Sequence, residues 1–284
     1  MKSIVYKTSQ NGGRDWSYEK TFIATERGIW GNPSCYYDRD SGILFVQVIE
    51  ESSGKTLMFQ SRDGGKRFDM GVRLTRDAIG TPAAYPGPGR GVKLDYGVRA
   101  GRIMFCGWWR SLDGVDKWSV VWYSDDMGAS WYPSKLDQGT LLESSSNECQ
   151  IVQGADGDVR VYMRTNTDRI YLMTSEDGGT TFGPRYQLDE MFTVVVQFGM
   201  LYFKDQYFWA ISNGNDRFGN HRGHLTVYSS KDGKTGWIPV AEILEGPSAY
   251  NNLVAIDDHT IGIIYEQGSY NPSEKISFST FYIP

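Results

Sequence analysis

A short pattern, Ser-x-Asp-x-Gly-x-x-aromatic, recurs along this 284-residue chain at intervals of 51 to 63 residues. Three copies fit it fully, at 61–68, 124–131 and 175–182. Two copies diverge, since 9–16 has Asn11 in the Asp position and 230–237 has Lys234 where Gly is expected. Serine and aspartate side chains bond backbone groups in tight turns, and glycine takes the positive φ that such turns need. The period predicts a repeat architecture in which the pattern itself is a structural turn.

Short β-branched and aromatic segments, bounded by Gly, Asp and Asn, flank the copies and predict β-strands. Four strands per repeat are typical of a β-propeller. Three further strand segments follow the last copy, at 252–256, 260–265 and 276–281, and predict a sixth unit. We therefore expect an all-β, six-bladed β-propeller of four-stranded antiparallel sheets, forming a single domain over residues 1–284. Only one strand precedes the first copy, so the first blade is expected to be incomplete.

Composition excludes several classes of function. Lys and Arg number 29 against 34 Asp and Glu, and the net charge of −5 argues against a broad basic surface for nucleic acid. Three widely spaced cysteines, Cys35, Cys106 and Cys149, resemble buried structural thiols more than a disulfide framework or a metal site. No run approaches the ~18 apolar residues of a membrane span, and the start lacks the apolar core of a signal peptide. We expect no nucleic-acid partner, membrane span, metal or cofactor.

Four segments between the repeats carry candidate functional residues. Glu148 lies in the segment 147–152, and Arg164 follows it by sixteen positions. Arg222 precedes the last copy of the repeat by eight residues, and Tyr250 and Glu266 lie in the two segments after that copy. The four segments stand in the same order as in the exo-α-sialidases of bacteria and eukaryotes. Together with the repeats, they resemble that family over nearly the whole chain.

The resemblance implies retaining hydrolysis of terminal α-linked sialic acids on glycans, glycoproteins or glycolipids. Arg164 and Arg222 would bind the carboxylate of the sugar, because planar guanidinium groups pair with carboxylates bidentately. Tyr250 would be the nucleophile and Glu148 its base. A neutral phenol avoids the repulsion that a charged nucleophile would meet beside that carboxylate, and sialidases are exceptional among glycosidases in using tyrosine.

Two further residues have supporting roles in this resemblance. Glu266 would orient one of the arginines, and Asn32, in a segment entering the second blade, would face the sugar. Arg217 lies five residues before Arg222 and competes for the same role, although the spacing to the last repeat favours Arg222.

Each candidate also has a structural interpretation. Tyr250 could be a packed tyrosine with a bonded hydroxyl, and Glu148 and Arg164 could form a surface ion pair. Four tryptophans either form a platform for the group attached to the sugar or pack between blades, and packing is the favoured interpretation: Trp108, Trp109, Trp118 and Trp122.

The family pattern also has an arginine and an aspartate general acid upstream of the first repeat, and neither has a counterpart in this sequence. We expect the activity of this chain to be impaired, because general acid catalysis contributes about 10²–10⁴-fold. The alternative is a non-catalytic, lectin-like propeller that binds sialic acid. A third interpretation, a structural propeller that binds protein partners, leaves the four segments unexplained.

Overall fold

Strands form the regular secondary structure of the residues that the computed structural model describes: 2–26, 28–69, 71–74, 85–110, 117–136, 146–214 and 222–284. In these ranges there is no helix, and so none that could span a membrane. The first twelve strands are β1 (Ile4–Tyr6), β2 (Lys20–Ile23), β3 (Trp30–Asp38), β4 (Ile43–Glu50), β5 (Lys55–Ser61), β6 (Val72–Arg73), β7 (Tyr85–Pro86), β8 (Val92–Lys93), β9 (Ile103–Arg110), β10 (Lys117–Ser124), β11 (Tyr132–Pro133) and β12 (Lys135–Leu136). The others are β13 (Ser146–Gln153), β14 (Val159–Thr165), β15 (Arg169–Ser175), β16 (Thr181–Phe182), β17 (Tyr186–Phe192), β18 (Gly199–Phe203), β19 (Gln206–Ser212), β20 (Gly223–Ser230), β21 (Ile238–Asp257), β22 (Thr260–Gln267) and β23 (Lys275–Tyr282).

Four groups of strands have the four-stranded form of a propeller blade. Their orders are β3-β4-β5-β6, β7-β9-β10-β11 with β8 also on β9, β13-β14-β15-β17, and β18-β19-β20-β21. The last group continues into β22 and β23, because β21 is 20 residues long and pairs first with β20 and then with β22. Two small sheets join β1 to β2 and, in parallel, β12 to β16. The all-β class is confirmed, and the count of six blades stays a prediction.

In the four four-stranded groups, the repeated pattern forms a turn directly after the third strand. In the copy at 61–68, the Ser61 hydroxyl accepts the Gly65 N–H at 2.9 Å, and Gly65 has φ +84°. The Asp63 carboxylate accepts the N–H groups three and four residues ahead at 3.0 and 2.9 Å. Equivalent bonds form in the copies at 124–131 and 175–182. The pattern is therefore a structural turn, as predicted.

The aromatic residue that ends a copy packs between sheets. The Trp131 ring lies edge-on to Phe45 of β4 and Phe105 of β9, with ring centroids 6.2 and 5.7 Å away. Trp122 is fully buried in the same core, and Trp109 packs against it. The packing interpretation is thereby confirmed for these two of the four tryptophans.

The chain divides into two compact units. The first consists of Met1–Tyr6, Glu19–Met163 and Leu172–Tyr186, and the second of Lys7–Tyr18, Arg164–Tyr171 and Gln187–Pro284. Buried side chains of β4, β9 and β10 form a core in the first unit. In the second unit, buried side chains of β20, β21 and β22 form another. The prediction of a single domain over the whole chain stays a prediction.

The cysteines differ in their environments. Cys106 and Cys149 are buried as predicted, whereas Cys35 is exposed, so the prediction for Cys35 was wrong. The pairing of β3 with β4 shifts register between Gly31 and Ser34. With this shift, Ser34 and Asp38 take the inward positions of the strand, with 5% and 2% of their surfaces exposed. A local irregularity of this kind overrides simple alternation.

Candidate active site

In the second unit, the predicted site residues lie at strand ends opposite the repeat turns. β20 ends at Ser230, where the last copy of the repeat begins, and Arg222 directly precedes the other end of this strand. Arg164 is the penultimate residue of β14, and β15 then runs back toward the copy at 175–182. The turns therefore occupy one edge of these sheets, and the candidate site lies at the opposite edge.

Tyr250 lies where β21 changes partners. The strand pairs with β20 as far as Pro247, and its pairing with β22 shifts register between Ser248 and Asn251. Gln197 holds the backbone of Asn251, the residue after Tyr250. Its amide nitrogen donates to the Asn251 carbonyl, and its amide oxygen accepts the Asn251 N–H, both at 2.9 Å. This bidentate bond holds the backbone at Asn251, where regular pairing with β22 resumes after the register shift.

Two arginines lie against the Tyr250 side chain. Arg164 Nη1 donates to the Tyr250 hydroxyl oxygen at 3.2 Å, and Arg164 is buried, with 9% of its surface exposed. The guanidinium carbon of Arg222 is 6.0 Å from the centroid of the Tyr250 ring. Arg222 Nη2 also donates to the Val195 carbonyl at 2.9 Å, which fixes the direction of its side chain. Two positive charges beside one phenol stabilise negative charge on its oxygen and attract an anionic ligand.

Glu266 contacts the same segment from β22. Its Oε2 accepts the Tyr250 N–H at 3.3 Å and the Ser273 hydroxyl at 3.3 Å. The carboxylate thus helps to position the backbone of Tyr250. Its predicted role in orienting an arginine stays a prediction.

Glu148 belongs to the first unit. It is the third residue of β13 and is buried, with 7% of its surface exposed. Its N–H is accepted by the Asn147 side-chain oxygen at 2.8 Å, and the Asn147 carbonyl accepts the Ser119 hydroxyl at 2.8 Å. The start of β13 is therefore tied to β10, and the backbone of Glu148 is held in place. Its predicted role as the base for Tyr250 stays a prediction.

Asn32 also lies in the first unit, at the register shift in β3. It has φ +47°, in the left-handed region that asparagine tolerates better than most residues. Its side-chain nitrogen donates to the Pro86 carbonyl at 3.3 Å. The structure thus gives Asn32 a structural contact, and its contact with a sugar stays a prediction.

The second unit brings together Tyr250, Arg164, Arg222 and Glu266, while Glu148 and Asn32 are positioned in the first. Arg217, the competitor of Arg222, lies outside the described residues. Sequence reasoning missed Gln197. The signal was a single amide inside the apolar stretch 194–201, and Gln197 is 1% exposed. A buried polar group in such a run needs a partner, which here is the backbone beside Tyr250.

Comparison with known proteins gives consistent matches. The family model described as BNR repeat-like domain matches residues 2–265. The sialidase of Micromonospora viridifaciens is 26% identical over 306 residues, covering 94% of this chain and 45% of that protein. The anhydrosialidase of Macrobdella decora is 26% identical over 198 residues, covering 64% of this chain and 25% of that protein. The chain thus spans less than half the length of these two curated relatives.

The fold is shared with solved structures. The Hadza microbial sialidase Hz136 superposes with a TM-score of 0.76 at 18% identity, covering 99% of this chain and 59% of that one. At this identity the superposition establishes the fold alone.

Proposed function

This chain belongs to the BNR repeat-like domain family, and on that premise we propose that it is an exo-α-sialidase. Its substrates are terminal α-linked sialic acids on glycans, glycoproteins or glycolipids. The homologous proteins of Micromonospora and Macrobdella carry the names sialidase and anhydrosialidase, which supports this substrate class. The reaction is retaining hydrolysis through a tyrosine nucleophile.

The observation that carries the proposal is the 3.2 Å hydrogen bond from Arg164 to the Tyr250 hydroxyl, with Arg222 on the ring of the same tyrosine. A sialoside has a carboxylate on its anomeric carbon. Guanidinium groups that bind this carboxylate bring the anomeric carbon close to the phenol oxygen. A tyrosine that merely packs would have no need of two cations. The arrangement supports nucleophilic attack on a sugar that carries its own negative charge.

Two displacements make up the reaction. The Tyr250 oxygen attacks the anomeric carbon while Glu148 takes the phenol proton, and the bond to the leaving oxygen breaks. An aryl group leaves as its phenolate, and an alkoxide takes its proton from solvent water. Water then attacks the same carbon and releases a proton to solvent, the bond to Tyr250 breaks, and Glu148 returns its proton to the phenol oxygen. Two inversions give net retention. The buried position of Glu148 at the start of β13 supports its role as base.

The two substrates of the test differ in their leaving groups. A natural glycoside such as 3′-sialyllactose has an alkoxide leaving group, for which general acid catalysis contributes about 10²–10⁴-fold. The aryl group of a 4-methylumbelliferyl sialoside leaves without an acid, so its cleavage reports on Tyr250 and Glu148 alone.

The test compares the two substrates in wild type, Tyr250→Phe and Tyr18→Phe. Tyr18 is 96% exposed and has no role in the proposal, which makes it a matched control. On the aryl substrate, kcat of Tyr250→Phe should be lower than that of wild type by about 10³-fold or more, as expected when a nucleophile is removed. The kcat of Tyr18→Phe should change little. Full activity of Tyr250→Phe would refute the nucleophile assignment.

A second function is favoured by one observation. Arg164 and Arg222 both lie against Tyr250, and two guanidinium groups can hold a carboxylate whether or not a chemical step follows. A chain of this kind can bind sialic acid without turnover, as a lectin-like propeller. Saturable binding of methyl α-sialoside without hydrolysis of either substrate would favour this function over the enzyme.

A further inference from the structure

The backbone of the loop between β22 and β23, residues 268–274, is hydrogen-bonded to a side chain of the same loop. The Glu274 carboxylate accepts three consecutive N–H groups, those of Ser269, Tyr270 and Asn271, at 2.8, 3.1 and 2.9 Å. A Cβ at Gly268 would lie 1.9 Å from the Asn271 carbonyl oxygen, so this close approach requires glycine. Charge-assisted bonds to backbone are stronger than neutral ones. The Glu274 side chain thus braces the backbone of the loop from within.

The same loop is tied to the segment that carries the nucleophile. The Gly268 N–H is accepted by the Pro247 carbonyl at 3.2 Å, three residues before Tyr250. At the other end of the loop, the Ser273 hydroxyl donates to Glu266 Oε2, the atom that also accepts the Tyr250 N–H. The loop thus borders the candidate site in the second unit through contacts at both of its ends.

Tyr270 is the second residue of the three whose N–H groups Glu274 accepts, and it is 74% exposed. Single exposed hydrophobic residues are common on protein surfaces and need no explanation. Here, however, the backbone of the exposed aromatic is fixed by the Glu274 carboxylate, beside a site proposed for sugars. A tyrosine ring on a rigid loop offers apolar area and a hydroxyl at small cost in conformational entropy.

We propose that Tyr270 forms a subsite for the sugar to which sialic acid is attached. The proposal rests on the proposed function and deepens it, because it assigns a ligand to the group beyond the glycosidic bond. The apolar C–H face of a pyranose such as galactose packs on the ring, and the Tyr270 hydroxyl bonds a hydroxyl of that sugar. The loop supplies pre-organisation, which lowers the entropic cost of binding.

The test measures dissociation constants by calorimetry for two thioglycosides, which glycosidases cleave poorly. One is methyl α-thiosialoside, and the other is the thio-linked disaccharide of sialic acid and galactose. Wild type should bind the disaccharide more tightly. Tyr270→Ala should weaken disaccharide binding by about 3- to 10-fold, the range expected of one aromatic contact, and so remove most of its advantage over the methyl glycoside.

Three variants complete the design. Tyr270→Phe should retain most of the preference for the disaccharide, and Glu274→Gln should lose part of it because the loop is less well held. Tyr18→Ala, an exposed tyrosine elsewhere, should bind both ligands like wild type. Thermal melting confirms that each variant is folded.

The outcomes separate the two proposals. If wild type binds the methyl glycoside and Tyr270→Ala keeps the full preference for the disaccharide, the subsite is refuted and the proposed function stands. Equal losses for both ligands would also refute the subsite. If wild type binds neither ligand at millimolar concentration, the proposed function fails and the subsite fails with it.

Discussion

Tyr250 takes its proposed reactivity from its surroundings, since a tyrosine at its ordinary pKa is a weak nucleophile. Arg164 is buried and bonds the phenol oxygen, whereas Arg222 lies over the ring and is anchored to the Val195 carbonyl. The two arginines therefore have different geometries toward the same side chain. We propose that the planar fork of Arg164 contacts both the phenol and a bound carboxylate.

This difference predicts the effect of Arg164→Lys. Lysine keeps the positive charge but loses the fork, and charge-assisted hydrogen bonds are each worth about 1.5–3 kcal/mol. We expect methyl α-sialoside to bind about 10- to 100-fold more weakly, measured by calorimetry. Arg169→Lys is the matched control, since Arg169 is partly exposed and paired with Asp168 at 3.5 Å. Equal affinities of wild type and Arg164→Lys would contradict a carboxylate site at this arginine.

Gln197 positions Tyr250 without touching its side chain. Gln197→Leu removes both bonds to the Asn251 backbone and leaves a buried N–H and a buried carbonyl without this partner. We expect the free energy of unfolding to fall by about 2–4 kcal/mol in urea denaturation. We also expect kcat on the aryl sialoside to fall in the protein that remains folded.

The control for this prediction is Gln187→Leu. Gln187 is an exposed residue of β17, and substitutions at such positions usually change stability by no more than about 0.5 kcal/mol. If Gln197→Leu were as stable and as active as Gln187→Leu, the positioning role of Gln197 would be wrong.

At the scale of elements, the repeat turns make stability depend on pH. In the last copy, burial of Asp232 raises its pKa, but hydrogen bonds from the Thr235 and Lys234 N–H groups outweigh this and lower the pKa to about 2. In the copy at 175–182, the pKa of Asp177 is likewise lowered, because the Thr181 and Thr180 N–H groups outweigh desolvation. An unfolded aspartate titrates near pH 3.9.

The sign of the effect follows from linkage. Near pH 3 the unfolded chain binds more protons at these aspartates than the folded chain, so acid favours unfolding. The stabilisation is complete above about pH 4 and is lost as the pH falls toward about 2. Urea denaturation from pH 7 to pH 2.5 should show this decline. Asp177→Asn should flatten it, whereas an unchanged profile would show that the turns do not set the acid limit.

Elements also differ in how far the sequence determines them. The turn at 61–68 is local, because Ser61 and Asp63 bond N–H groups within four residues, and the repeat pattern predicted it fully. Gln197 and Asn251 are 54 residues apart, and Asn251 lies directly after the register shift in β21. No local pattern indicates such a shift, and the same kind of irregularity in β3 made the prediction for Cys35 wrong. The family segments predicted the candidate residues of the second unit. They did not predict Gln197, which holds the backbone beside Tyr250.

At the scale of the whole molecule, the chain is acidic and its proposed ligand is an anion. A net charge of −5 gives no long-range attraction for a sialoside. Binding must therefore come from the local guanidinium groups against Tyr250, and substitution of those arginines should affect affinity more than changes of surface charge elsewhere.

Whether the two compact units unfold separately depends on the strands that contain residues of both. β14 and β15 each contain residues of both units, because the boundaries fall after Met163 and after Tyr171. Neither unit can unfold completely without breaking strands that it shares. We therefore expect a single calorimetric transition with equal calorimetric and van't Hoff enthalpies.

One variant in each unit makes the test specific. In the first unit, Arg102 is 2% exposed and bonds Asp125 twice at 2.7 Å and the Gly178 carbonyl at 2.9 Å. Arg102→Ala removes these hydrogen bonds, of which those to a charged group are worth about 1.5–3 kcal/mol each, and should lower the free energy of unfolding by about 2–4 kcal/mol. In the second unit, Gln197→Leu should cost a similar amount. Both variants should lower the midpoint of the same single transition. A calorimetric trace in which Arg102→Ala moves one peak and Gln197→Leu moves another would show two independently folding domains and overturn the single-domain prediction.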